Sequence, residues 1–197
     1  MTDSPPQIRL GKRERLVASA ADLIHRQGAA VTTLAQVAAA ADVPLGNVYY
    51  YFKTKDDLIQ AVIEDRASGI AGLLATFEQR RTPAARLKAL ARHWENMREL
   101  IAEQGCPIGS LCAELSQRGD GLGRDTATLL RSLVEWAAIQ FRAMGRRDAD
   151  TLAMSLLAAV QGSALLTNSL HDPGIMTDQV RTLERWIDSL ANQQSRE

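Results

Sequence analysis

Every tyrosine of the chain stands in one run, Tyr49, Tyr50 and Tyr51, within VPLGNVYYYFKTKDDL at 43–58. Three consecutive helical residues point about 100° apart, so a single core cannot take all three rings. A phenol joins a flat apolar ring to a hydroxyl donor, which suits the sugar–phosphate wall of a nucleic acid. Lys53 and Lys55 follow directly and supply cations. Lys55 falls in the first turn of a helix, where free backbone N–H groups also favour an anion. Ahead of the tyrosines, Pro44, Leu45, Gly46 and Asn47 would form the leading end of a helix presented to base edges. Gly46 would let that backbone approach closely. Leu45 cannot donate to guanine and at best touches a thymine methyl. Sequence discrimination would then fall to Asn47, Tyr49 and DNA shape. Val48 and Phe52 lie one turn apart and should point inward.

A second chemical group is the thiol of Cys106 in GCPIGSLCAEL at 105–115. Cys106 precedes Pro107, which suits a helix start, and a thiol at a helix N-terminus gains thiolate character. It reads either as a reactive sensor or as a small residue buried at a helix junction. Cys112, six residues on, should face another way, so a local disulfide would need helix distortion. An enzyme using Cys106 with His93 or His171 as base is a rival reading, but no nucleophile motif accompanies it. Nothing around His93 has metal-ligand spacing, and the sequence calls for no cofactor.

The elements that must hold these groups are helical. Leu16, Val17, Ala20, Ala21, Leu23 and Ile24 form a stripe over Lys12–Gln27 that Gly28 ends. Thr33 suits an N-cap for a short helix carrying Leu34, Val37, Ala38 and Ala41. Asp42 stands at a turn and tolerates the left-handed conformation better than most residues. Pro44 fits the first turn of the next helix. Two short helices so joined make a helix-turn-helix pattern. TKDD at 54–57 is a capping-box variant that opens a long helix through Phe77. Further helices are expected over about 83–103, 110–118, 124–144, 148–170 and 177–193. The fold class is therefore all-α, with about nine helices, after a proline-bearing lead at 1–8.

The chain of 197 residues has zero formal net charge and is 46% hydrophobic. No global basic field announces nucleic acid, but the charge is uneven. Within 1–55, seven basic residues face four acidic ones, a surplus of three that the rest of the chain balances. No apolar run approaches the roughly 18–20 residues of a membrane span. The N-terminus lacks the apolar core of a signal peptide, and two cysteines make no disulfide framework. A soluble cytoplasmic protein without membrane partners is expected.

The ordered set (a basic helix, a short helix capped by Thr33, a tight turn, then PLGNVYYYF and KTK) resembles the DNA-binding domain of the TetR family of bacterial transcriptional regulators. The resemblance is close over about Lys12–Leu58 and beyond that rests on helix count and length. It implies a helix-turn-helix domain at 1–55 and a ligand-binding and dimerisation domain at 56–197. It implies that Tyr49, Tyr50 and Tyr51 contact phosphates or base methyls, that Lys55 binds phosphate, and that Thr33 adds a phosphate contact to its capping role. Several relatives carry a basic residue where Leu45 stands, so their operators do not transfer. The implied function is a homodimeric repressor on a palindromic double-stranded operator, released by a small apolar effector or by thiol modification. Some family repressors that sense electrophiles carry a Gly-Cys pair near the place of Cys106. A helical adaptor without DNA is the remaining alternative.

The resemblance also implies a four-helix bundle between subunits from the last two helices. Val180, Leu183, Ile187 and Leu190 follow the 3-4-3 spacing of a helix seam. Ala159, Gly162 and Ser163 are small enough for close helix approach. Large residues on several helices could surround an apolar ligand: Trp94, Met97, Leu115, Trp136, Phe141, Met144 and Leu165, with Gln161 as a polar contact and Cys106 nearby.

Overall fold

The computed structural model describes residues 11–193, the side chain of Gln193 excepted. The lead at 1–8 and the last four residues lie outside them. Ten α-helices follow in order among the described residues: α1 Lys12–Gln27, α2 Leu34–Ala40, α3 Leu45–Tyr51, α4 Lys55–Glu78, α5 Pro83–Asn96, α6 Arg98–Gln104, α7 Pro107–Ser116, α8 Gly121–Ala143, α9 Ala149–Leu170 and α10 Pro173–Gln193. The chain divides into two compact units, Met1–Asp65 and Arg66–Glu197. That division falls inside α4, ten residues beyond the 55/56 boundary expected from the motif.

In the first unit, α1 packs on α2 and α2 on α3. Its core is Leu16, Val17, Ala20, Ile24, Val37, Val48, Phe52, Leu58, Ile59 and Val62. The caps are those the sequence requires. Thr33 Oγ1 accepts from Gln36 N at 3.2 Å, while Gln36 Oε1 accepts from Thr33 N at 2.9 Å. Thr54 and Asp57 make the same reciprocal pair at 3.0 and 2.9 Å, and so start α4. Each cap satisfies N–H groups that no helical carbonyl can reach.

In the second unit, α8 packs on α7 and α9, and α10 on α5 and α9. The one additional helix arises because 83–103 is not continuous. Met97 leaves helical geometry at φ −100°, ψ 8°, and its N–H turns back to Trp94 O at 3.1 Å. Three helices also start earlier than expected, because local caps reach further back. Cys106 Sγ accepts from Gly109 N ahead of α7. Asp120 Oδ1 accepts from Gly123 N ahead of α8. Asp172 Oδ1 accepts from Gly174 N, and Pro173 opens α10.

The α10 stripe requires a correction. Val180, Leu183, Ile187 and Leu190 are buried within the chain, where α10 lies on α5 and α9, so this 3-4-3 face seals the subunit's own core. Of the three small residues of α9, Ser163 is buried and Ala159 half-buried, while Gly162 is open. The apolar face left uncovered belongs to α9: Met154, Leu165, Leu166 and Leu170 are each more than half exposed. By length and composition alone, α9 is also the one helix among the described residues that could cross a membrane. Thr151, Ser155, Gln161 and Ser163 interrupt its apolar residues, so it contains no continuous apolar run of that length. One of its sides is core, with Ala153, Leu156, Leu157, Val160 and Ala164 buried.

Candidate nucleic-acid interface and effector cavity

The turn between α2 and α3 is built by Asp42, which adopts the left-handed region at φ 51°. Val43 N then donates to Ala38 O at 3.0 Å, closing the end of α2. Pro44 precedes α3 as its cap residue, one position earlier than a first-turn placement. Val48 and Phe52 are buried, as their spacing requires, and Arg13 lies over the Phe52 ring at 5.5 Å. With those two anchors facing inward, the rest of α3 faces out. Tyr49 is 48% exposed, Tyr50 76% and Tyr51 36%. Tyr50 and Tyr51 meet edge to face at 5.0 Å, which holds two rings on one exposed surface. Pro44, Leu45 and Gly46 are exposed beside them, Asn47 is half-buried, and Thr33 is exposed at the start of α2.

The two lysines differ. Lys53 Nζ donates to Tyr49 O at 2.8 Å on the exposed side of α3. Lys55 is half-buried, and its Nζ donates to Ala29 O at 2.7 Å and Ala30 O at 2.8 Å. An ammonium has three donors, so two hold the α1–α2 connection and one is left for an anion. The motif alone assigned Lys55 to phosphate and could not reveal this internal role. Lys55→Met is expected to destabilise the first unit by about 1–2 kcal/mol, through loss of charge-assisted hydrogen bonds. Urea unfolding checks it; unchanged stability would mean the staple contributes nothing.

The second unit separates the residues expected around a ligand. Trp94, Leu115, Trp136, Phe141 and Met144 are buried in packed core. The Phe141 ring lies 5.8 Å from that of Trp186, and Trp136 Nε1 donates to Glu78 Oε1 at 2.8 Å. Met97 is half-buried at the α5–α6 break. Cys106, Gln161 and Leu165 come together and line a cavity of about 250 Å³ between α7 and α9, with Gly105, Gly109, Ser110 and Asn168 among its walls. Ser110 and Asn168 were not foreseen. The signal for Ser110 was the small-residue run GCPIGS at the start of α7; Asn168, on α9, had none. A Cβ at Gly109 would run into Gln161 Oε1, the tip of a flexible side chain, so a larger residue there would displace that amide. A second, apolar hollow of about 380 Å³ lies between α8 and α9, and Gln161 borders it too.

Cys106 Sγ accepts from Trp94 Nε1 and from Gly109 N, each at 3.4 Å. Its thiol is buried and free. Cys112, also free, donates to Thr126 O at 3.3 Å, and burial pushes its thiol up to about 11, helped by the charge of Cys106. Neither His93 nor His171 hydrogen-bonds Cys106 among the described residues. His93 sits edge-on to Trp94, where burial lowers its pKa, and His171 Nδ1 lies 3.1 Å from Ala102 O.

A capped helix-turn-helix with an exposed aromatic recognition helix, followed by a helical second unit, defines a DNA-binding regulator of the two-part type. Residues 16–62 match the family described as "Bacterial regulatory proteins, tetR family". The chain is 29% identical over 164 residues to the HTH-type transcriptional repressor DhaR of Mycobacterium sp. (strain GP1), spanning 78% of this chain and 80% of that protein. Its fold is similar to a TetR transcriptional regulator from Chloroflexus aurantiacus, with TM-score 0.81 and 22% identity over 90% of this chain and 94% of that one. It is likewise similar to the regulatory protein TetR from Rhodobacter sphaeroides, with TM-score 0.78 and 24% identity over 88% and 97%. Residues 16–62 carry the DNA-binding domain of the TetR family of bacterial transcriptional regulators, and the chain is a DNA-binding regulator of transcription. Regulators of this family bind operator DNA and form dimers.

Proposed function

We propose that the protein is a cytoplasmic, homodimeric, non-enzymatic repressor that reads a palindromic operator through α3 and releases it when its second unit meets a small effector or its Cys106 thiol is modified. The observation that carries the reading is the exposure of Tyr49, Tyr50 and Tyr51 together, on a short helix whose inward positions Val48 and Phe52 are fully used. Pro44, Leu45, Gly46 and Asn47 lead that helix into the major groove. The tyrosines, Lys53, the remaining donor of Lys55 and the Thr33 hydroxyl meet the phosphates on either side. The partner subunit covers the uncovered face of α9, from Met154 to Leu170 with Gly162 at its centre, rather than the buried α10 stripe. A two-fold pair of this kind presents two recognition helices to adjacent half-sites. Release is a population shift, bounded by how much better the effector binds the non-reading arrangement.

Footprinting on the DNA flanking its own gene tests this, across a salt series and with and without a thiol-alkylating agent. A protected palindrome whose affinity falls steeply with salt is expected, because phosphate contacts release counterions. Release by alkylation that Cys106→Ser abolishes would make the thiol the trigger; retained binding would leave the effector as trigger. Absence of protection on that DNA and on a random operator library would overturn the reading.

A further inference from the structure

The cavity between α7 and α9 has a feature that packing does not explain. Gln161 borders it, and Gln161 Nε2 is buried with no hydrogen-bond partner. A buried donor left unmade is costly, and such groups are rare in folded proteins. The opposite wall is the start of α7, which carries the positive end of a helix dipole. The first thiol there already accepts from Gly109 N and Trp94 Nε1. The α7 wall therefore favours an incoming acceptor atom, and Gln161 offers an unpaired donor at Nε2 beside the acceptor Oε1 that faces Gly109. No charged side chain lines the cavity, and Ala113, Ala164 and Leu165 supply apolar surface. A formal charge inside would lack a partner. The volume of about 250 Å³ is below the roughly 300–1,000 Å³ of drug-sized sites.

We propose that this cavity is the effector site, and that it takes a small uncharged molecule whose carbonyl-type oxygen accepts a hydrogen bond from Gln161 Nε2 while its carbon skeleton rests on Ala113, Ala164 and Leu165. The proposal rests on the regulator reading above and deepens it by giving the effector a chemical class and an anchoring residue. The large aromatic residues of the core take no part in it.

The test uses the full chain and four probes: cyclohexanone, cyclopentanone and benzamide as acceptors, and methylenecyclohexane as a shape match without the oxygen. The readout is the side-chain amide signals of Gln161 by ¹H–¹⁵N NMR during titration, with the probe's dissociation constant taken from the shifts. Saturable shifts of the Gln161 amide by at least one acceptor probe, and none by the hydrocarbon, are expected. Gln161→Met keeps length and loses the donor; it should weaken that probe by about tenfold, the value of one neutral hydrogen bond, and retain its melting temperature. Gly109→Ala is a second variant, since its Cβ meets Gln161 Oε1 and displaces the amide; it should weaken the probe as well. Equal binding of the hydrocarbon, equal affinity in Gln161→Met, or no shift with any acceptor probe would overturn the proposal. In the last case, a slowly exchanging water on the Gln161 amide would identify the cavity as a hydration site. Operator footprinting of the untreated chain is unaffected by these outcomes, so a failed effector site and a failed regulator reading are told apart.

Discussion

Tyr49→Ala is expected to weaken operator binding by roughly ten- to a hundredfold, the value of a lost hydrogen bond to a charged group. The ring is 48% exposed, so its removal should leave the fold intact. Fluorescence anisotropy with the footprinted operator reads the affinity, and thermal unfolding reads the fold. Tyr49→Phe separates the two halves of the side chain. If the hydroxyl meets a phosphate, the phenylalanine variant should lose most of the affinity. If the ring rests against sugar or a base methyl, it should keep most. Because the phenol carries no charge, the salt dependence should stay unchanged in the alanine variant, whereas Lys53→Ala should flatten it by close to one unit of slope. Full affinity in a Tyr49→Ala, Lys53→Ala double variant would remove this face of α3 from DNA recognition.

The largest stability loss is expected in the second unit. Phe141 is fully buried, and its ring meets that of Trp186 at an angle of 60°. Phe141→Ala should cost about 3–5 kcal/mol, the transfer term plus the cavity it leaves. For a chain of this size that lowers the melting temperature by roughly 10 °C or more. The same substitution decides what the residue is for. A packed core residue loses stability and leaves the effector's affinity alone when measured well below the transition. A residue lining an effector site does the reverse.

The helix-turn-helix and the exposed face of α3 were legible in the sequence because they rest on short-range rules. Thr33 with Gln36 and Thr54 with Asp57 are caps three residues apart, and Asp42 is a residue type that tolerates its left-handed turn. Val48 and Phe52 fix the inward side of α3 by spacing alone, so the orientation of the tyrosines follows. The second unit was less legible because its questions are long-range. Trp94, Phe141 and Met144 are large and helically spaced whether they border a void or fill one. The 3-4-3 spacing on α10 is the same for a helix that packs on its own α5 and α9 as for one that packs on a second subunit. The break at Met97 carries no proline or glycine to announce it. Lys55 matched a phosphate-binding position, and only the fold brought Ala29 and Ala30 under its ammonium. Gln161 stood out as a polar residue in an apolar helix, but its missing partner appears only once α7 is placed against α9.

Gly46 lies at the leading end of α3, and a methyl group added there would touch nothing within 4 Å. Its neighbours Pro44 and Leu45 are exposed as well, while Val48 and Phe52 are buried and tie the helix down. If 44–46 read the operator as proposed, mutational drift there explores new operator sequences at little expense in folding. A library randomised at 44–46 should yield mostly folded proteins with divergent binding preferences, whereas one randomised at 48 and 52 should yield mostly inactive, poorly folded ones. A helix so anchored lets surface chemistry and stability be inherited separately.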